Sequence, residues 1–103
     1  MTLPIDDPHA ALYSVGQVAD MLGLQTAFVR RLDTEEVVQP ARSQGGQRRY
    51  SRHEIGQVSR VAELASDGLT LAGIKRLIAL EAEAAHLRGE LAAERAKRKP
   101  SKN

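Results

Sequence analysis

The sequence predicts a mainly α-helical fold, with a small two-stranded hairpin between two pairs of helices. Two capping-box patterns, each a serine followed three residues later by Gln or Glu, mark helix starts at Ser14 and Ser51. Residues 39–47 hold no helical pattern and contain the pair Gly45 and Gly46, which suits the tip of a hairpin. No proline interrupts residues 71–99. This order is that of a winged helix-turn-helix head with a two-stranded wing, followed by a C-terminal helix that we expect to mediate dimerisation.

Length and composition narrow the class of protein. The chain has 103 residues, 42% of them hydrophobic and 27% charged, as in a globular domain. No apolar stretch reaches the length of a membrane span and no secretory leader opens the sequence, so we expect a cytoplasmic protein without a membrane partner. Cysteine is absent, and His9, His53 and His86 are scattered along the sequence. We therefore expect no metal and no cofactor.

The first half of the head begins after a flexible N-terminal arm, which we expect over residues 1–12. The first helix is predicted to begin after Ser14 and to end at Gly23, with Val15, Val18, Ala19 and Leu22 on its apolar face. A second helix is predicted from a cap at Thr26 to about Glu36. Its inward side chains would be Phe28 or Val29, and Leu32. Together these two helices form a helix-turn-helix candidate.

The second half of the head contains the hairpin and the third helix. Val37 and Val38 are predicted to pair with residues 48–50 around a tip at Gly45 and Gly46. The third helix starts with the capping box of Ser51 and Glu54 and runs towards Gly68. The head is thus expected over residues 13–79.

The C-terminal helix is predicted to start after Thr70 and to change character along its length. Its apolar face narrows beyond residue 80 to a stripe whose width suits one partner helix. We expect a dimerisation helix over residues 80–98 and a basic tail over residues 99–103. The stripe, called the leucine stripe below, consists of Leu77, Leu80, Ala84, Leu87 and Leu91.

These motifs resemble the MerR family of bacterial regulators, from Tyr13 to about Leu80. The second helix departs from the family pattern, because residues 28–33 read Phe-Val-Arg-Arg-Leu-Asp where the family usually has Thr-Leu-Arg-aromatic-Tyr-Glu. Glu36 stands where a glycine often ends this helix, and Gln47 replaces the wing aromatic. Residues 71–76 look most like the heat-shock repressor branch. The matching residues are 13–19, Gly23, Arg30, Pro40, Arg42, 46–51, Glu54 and 68–75.

The resemblance implies a sequence-specific regulator that binds double-stranded promoter DNA, with the second helix in the major groove and the wing along the backbone. Arginine suits both phosphates and guanine edges. Tyr50 fits a backbone contact or plain packing equally well, and Thr26 fits a DNA contact or a cap. Taken alone, Arg31 also fits an ion pair with Glu35 one helical turn later. The expected DNA-binding residues are Ser14, Gln25, Thr26, Arg30, Arg31, Arg42, Arg48, Arg49 and Tyr50.

The partners and the main alternative follow from the same residues. Family members pair through a helix after the head, so the leucine stripe predicts a homodimer, with a regulatory protein as a further candidate partner. The alternative is an adaptor that binds another protein through its apolar C-terminal helix, with a weakened DNA-binding head. An enzyme is not expected, because no nucleophile motif, His–carboxylate pair or phosphate loop is present.

Overall fold

The computed structural model describes residues 6–43 and 45–98 and confirms the predicted mainly helical fold. Within these residues the two strands form one antiparallel sheet, and no helix is long and apolar enough to cross a membrane. The elements, in chain order, are α1 (Val15–Leu22), α2 (Thr26–Thr34), β1 (Ala41–Arg42), β2 (Arg48–Arg49), α3 (Arg52–Ser66) and α4 (Leu71–Arg98).

The helix-turn-helix is built by local signals around α1 and α2. The Gln17 N–H donates to Ser14 Oγ at 3.2 Å and the Ser14 N–H donates to Gln17 Oε1 at 2.8 Å, so the predicted capping box is formed. Gly23, at φ +66°, ends α1 in the left-handed conformation that glycine adopts without strain. α2 begins one residue earlier than predicted, since Gln25 is its N-cap and Thr26 is already helical.

The wing is shorter than predicted. Ala41 pairs with Arg49 and Arg42 with Arg48, and Gly46 turns the chain at φ +79°. The prediction of a strand at Val37 and Val38 is wrong. Both of their N–H groups donate to the Leu32 carbonyl, at 2.8 and 3.2 Å, so they complete the end of α2 and are not available to a sheet.

The described part of the N-terminal arm, residues 6–12, lies against the wing and α3. The N–H groups of Leu12 and Tyr13 donate to the Tyr50 carbonyl at 3.2 and 3.0 Å, and the His53 N–H donates to the Pro8 carbonyl at 2.9 Å. Tyr13 and Tyr50 form an isolated antiparallel bridge. Residues 1–5 of the predicted arm and the tail at 99–103 lie outside the described residues.

α3 and α4 are both capped as predicted and are joined by an ion pair. The Glu54 N–H donates to Ser51 Oγ at 3.1 Å, and the Gly73 N–H donates to Thr70 Oγ1 at 3.1 Å. Arg60 donates from both terminal nitrogens to Glu81, at 2.6 and 2.7 Å, and this bond lowers the pKa of Glu81. α4 is one uninterrupted helix of 28 residues.

The core lies where α1, α2, α3 and the start of α4 meet. Phe28 packs against the core but is only partly buried, so Val29 and Leu32 are the inward side chains of α2. Beyond Ile78, α4 contributes nothing to the core. The buried hydrophobic residues are Val18, Ala19, Val29, Leu32, Val38, Tyr50, Ile55, Val58, Val61, Leu71 and Ile74.

Candidate nucleic-acid interface

The outward face of α2 is exposed and basic. Val29 and Leu32 are fully buried, so the helical period turns Arg30 and Arg31 towards solvent. Arg31 forms an ion pair with Glu35 one turn later, with side chains that are 62% and 42% exposed. No hydrogen bond or ion pair within the described residues engages the Arg30 guanidinium. Arg30 is therefore the cation on α2 that is open to an incoming anion.

The N-terminus of α2 is open as well. Gln25, the N-cap residue, is exposed and makes no side-chain capping bond, and Thr26 is partly buried in the first turn. The N-terminus of a helix carries a partial positive charge and attracts phosphate. Gln25 and Thr26 are thus placed where a groove-bound helix presents its first side chains. Ser14, by contrast, uses its hydroxyl to cap α1.

Two wing arginines have neutral partners and keep their positive charge. Arg42 Nη1 donates to the Gly46 carbonyl at 2.9 Å, and Arg49 Nη2 donates to Gln47 Oε1 at 2.8 Å. Both bonds lie within the wing. They orient the guanidinium groups without neutralising them.

Arg48 differs from its neighbours because it reaches across to α2. Its Nη1 donates to both Asp33 carboxylate oxygens, at 2.6 Å each. The Asp33 side chain is 19% exposed and that of Arg48 is 52% exposed. The pair borders a cavity of about 280 Å³ between α2 and the wing. Its lining residues are Val15, Arg30, Asp33, Thr34, Pro40, Arg48 and Tyr50.

Tyr50 lies at the base of the wing and is 2% exposed. Burial, with the nearby Asp33 charge, raises the pKa of its phenol to about 12. The phenol is therefore neutral at physiological pH. Of the two interpretations that the sequence left open, this burial favours packing.

Lys75, which sequence reasoning did not select, ties the end of α2 to α4. Its Nζ donates to the Glu35 carbonyl at 3.3 Å and lies 3.6 Å from Glu36 Oε2. Glu36 has φ +58°, a left-handed conformation that glycine adopts more readily than glutamate. A cation at the C-terminus of a helix stabilises the exposed carbonyls. The contact joins residues 40 apart in sequence, so no local pattern could have revealed it.

His9 and His53 are closer together in space than their sequence positions indicated. The rings of His9 and His53 have centroids 4.9 Å apart, because the arm folds back over the start of α3. Within the residues that the structure describes, no group of three or more His, Cys, Asp or Glu side chains is arranged to hold a metal ion.

The leucine stripe is largely exposed on α4. Leu80, Leu87 and Leu91 are 51%, 55% and 50% exposed, while Leu77 and Ala84 are partly buried. These large side chains leave apolar area in water along one side of the helix.

Comparisons with known proteins agree with this architecture. The model of the MerR HTH family regulatory proteins matches residues 13–81. Among curated proteins, the putative heat shock protein HspR of Streptomyces coelicolor is 38% identical over 82 residues, which cover 79% of this chain and 54% of the relative. The HTH-type transcriptional regulators GlnR of Bacillus anthracis and Bacillus cereus are 28% identical over 76 residues, which cover 74% of this chain and 59% of each relative.

The chain thus spans little more than half the length of these curated relatives. The match to the heat shock protein supports the branch that residues 71–76 predicted. The family match covers both capping boxes, the helix-turn-helix, the wing and the start of α4. The chain therefore belongs to the MerR family of helix-turn-helix regulatory proteins.

Proposed function

We propose that the protein is a sequence-specific transcriptional regulator that binds double-stranded promoter DNA as a homodimer. One observation carries the proposal. Arg30 on α2 and Arg42 and Arg49 on the wing belong to adjacent elements, and no carboxylate pairs with them within the described residues. Uncompensated guanidinium groups on a recognition helix and its wing form the surface that a phosphate backbone requires.

In the docking that the family uses, α2 enters the major groove and the wing follows the backbone. Gln25 and Thr26 would then face base edges, Arg30 and Arg31 would lie beside them, and the wing arginines would meet phosphates. Three uncompensated arginines in each head give six in a dimer. The logarithm of the binding constant should therefore fall with the logarithm of salt concentration with a slope of about −5.

The leucine stripe supports the dimer. A single small head offers few base contacts, whereas two heads joined by a helix can read two half-sites about one helical turn apart. The role is non-enzymatic, as the regulators among the relatives indicate, and implies a cytoplasmic location in a bacterial cell. The exposed leucines also fit the adaptor alternative. The uncompensated arginines weigh against that alternative, because an adaptor has no use for them.

The test is a selection of bound fragments from bacterial genomic DNA, followed by titration of the best fragment and a shuffled copy at 50–200 mM salt. We expect the selected fragment to bind at least about a thousandfold more tightly than the shuffled one. Gln25→Ala should reduce this ratio and leave the shuffled DNA bound as before.

The control is Lys97→Ala, which removes one positive charge at the far end of α4 and should leave both binding constants unchanged. Equal affinity for selected and shuffled DNA would contradict sequence-specific binding. If no DNA fragment is captured, the adaptor alternative is favoured.

A further inference from the structure

Within the described residues, a single ion pair joins the wing to α2. It involves Arg48, one of the arginines expected to contact DNA. From its geometry we infer that Arg48 is a positioning residue, which holds the wing against α2 through Asp33 and does not itself bind phosphate. The inference rests on the proposed function, because it assigns one arginine of that surface a different role.

The geometry of the pair is that of a strong contact. Arg48 Nη1 lies 2.6 Å from both Asp33 oxygens, a short charge-assisted contact with a carboxylate. The Asp33 side chain is 19% exposed, so solvent screens this pair less than it screens Arg31 with Glu35, where the carboxylate side chain is 42% exposed. A phosphate competing for Arg48 would leave a partly buried carboxylate without its partner.

The wing requires such a tether because it is very small. Each of its strands has two residues, and an isolated two-stranded hairpin is at best marginally stable in water. Its base is fixed by the bridge between Tyr13 and Tyr50. Among the described wing residues, Arg48 is the one that forms an ion pair with α2. Without this pair the two short strands would open more often, although the Ala41 N–H would still donate to Glu54 Oε1 at 3.4 Å.

The pair also removes a negative charge from the DNA-facing surface. Asp33 borders the same cavity as Arg30, so an uncompensated carboxylate there would repel a phosphate approaching Arg30. Arg48 neutralises this charge, while Arg30, Arg42 and Arg49 stay available to phosphate. On this assignment, Arg48 should contribute nothing to the salt dependence of DNA binding.

The experiment compares Asp33→Asn, Arg48→Gln, the double variant, and the charge-swapped variant D33R/R48D. Two measurements are made on each: DNA affinity across salt concentrations, and hydrogen–deuterium exchange of the wing amides of Ser43 and Gly46 without DNA. Both amides donate within the wing in the structure, at 2.8 and 2.9 Å, so their exchange reports how often the hairpin opens.

We expect each single variant to lose affinity about tenfold or more, with an unchanged salt slope and faster exchange of both amides. The double variant should be no worse than either single variant, since all three remove the same contact. The swapped pair should restore amide protection and most of the affinity. Arg31→Ala is the matched control, because it breaks an exposed pair on α2 and should leave wing exchange unchanged.

A direct phosphate contact gives the opposite pattern and would overturn the inference. In that case Asp33→Asn strengthens binding, Arg48→Gln flattens the salt slope by about one unit, and the swapped pair stays defective. Unchanged amide exchange in Arg48→Gln would also overturn it. Amide exchange is measured without DNA, so it tests whether Arg48 holds the wing even if the wild-type protein selects no DNA. Failure to select DNA would count against the proposed function alone.

Discussion

Replacing Leu87 and Leu91 by aspartate is expected to convert the proposed dimer into a monomer. Full burial of one leucine side chain is worth about 1.5–3 kcal/mol. Leu87 and Leu91 are 55% and 50% exposed, so pairing can still contribute about 1 kcal/mol for each of them. Four such side chains in a dimer give about 4 kcal/mol, which corresponds to about a thousandfold in the dimer dissociation constant.

The assay is sedimentation equilibrium at micromolar concentration, with circular dichroism to follow helix content. The wild-type protein should be a dimer and L87D/L91D a monomer with a folded head, because the core ends at Ile78 and includes neither leucine. The monomer should bind DNA weakly, since it offers one head in place of two.

The matched control is A82D/A96D, which adds the same charge to exposed positions on the opposite side of α4. It should remain dimeric. A wild-type monomer at micromolar concentration, or an L87D/L91D protein that stays dimeric, would refute the reasoning. Dissociation of the control as well would show that added charge, and not the loss of leucine contacts, separates the chains.

Three further predictions concern the head. Arg30→Ala should weaken DNA binding and flatten the salt slope by about 0.9 for each head bound. Arg31→Ala should change the slope less, because the Arg31 guanidinium already pairs with Glu35. Equal slopes in salt titrations of the two variants would argue against Arg30 as the open cation. In urea unfolding, Glu36→Gly should be more stable than Glu36→Ala by about 1 kcal/mol. Both variants lose the ion pair between Glu36 and Lys75, but glycine alone adopts φ +58° without strain. Equal stabilities would contradict this explanation. Burial raises the pKa of Tyr50 from 10.0 to about 12, so the fold favours the neutral phenol, and stability should hold below pH 10 and fall between pH 10 and 12. Urea unfolding across this range should show a shallower fall for Tyr50→Phe, and an identical fall would exclude Tyr50 as its cause.

Local signals in the sequence predicted the helical framework well. Both capping boxes and the Thr70 cap form as expected, because each depends on residues within three positions of one another. The left-handed stop at Gly23 is equally local. The strand predicted at Val37 and Val38 was wrong because a contact with an earlier residue outweighed their own preference for a strand. β-branched residues favour strands in general, but here the nearby Leu32 carbonyl takes both N–H groups.

The composition of the candidate site was predictable, and so was the pairing of Arg31 with Glu35, which lie one helical turn apart. The long-range pairing was not. The sequence located the arginines on the second helix and the wing, and the structure has them there. It could not show that Arg48 is paired with Asp33, because that contact depends on how the hairpin folds over α2. The approach of His9 to His53 and the contact of Lys75 with Glu35 are long-range in the same way.

The ion pair between Arg60 and Glu81, called the brace below, holds α4 to α3 at one point along its length. The helix is about 42 Å long, and Glu81 lies about 15 Å from its start, so about 27 Å extends beyond the brace. A tilt of about 5° at this point displaces the far end by about 2 Å. In the proposed dimer that displacement changes the distance between the two heads, and so the half-site spacing that they can span. Because both side chains of the brace are about half exposed, salt screens the pair, and the tolerance for operator spacing should widen as ionic strength rises.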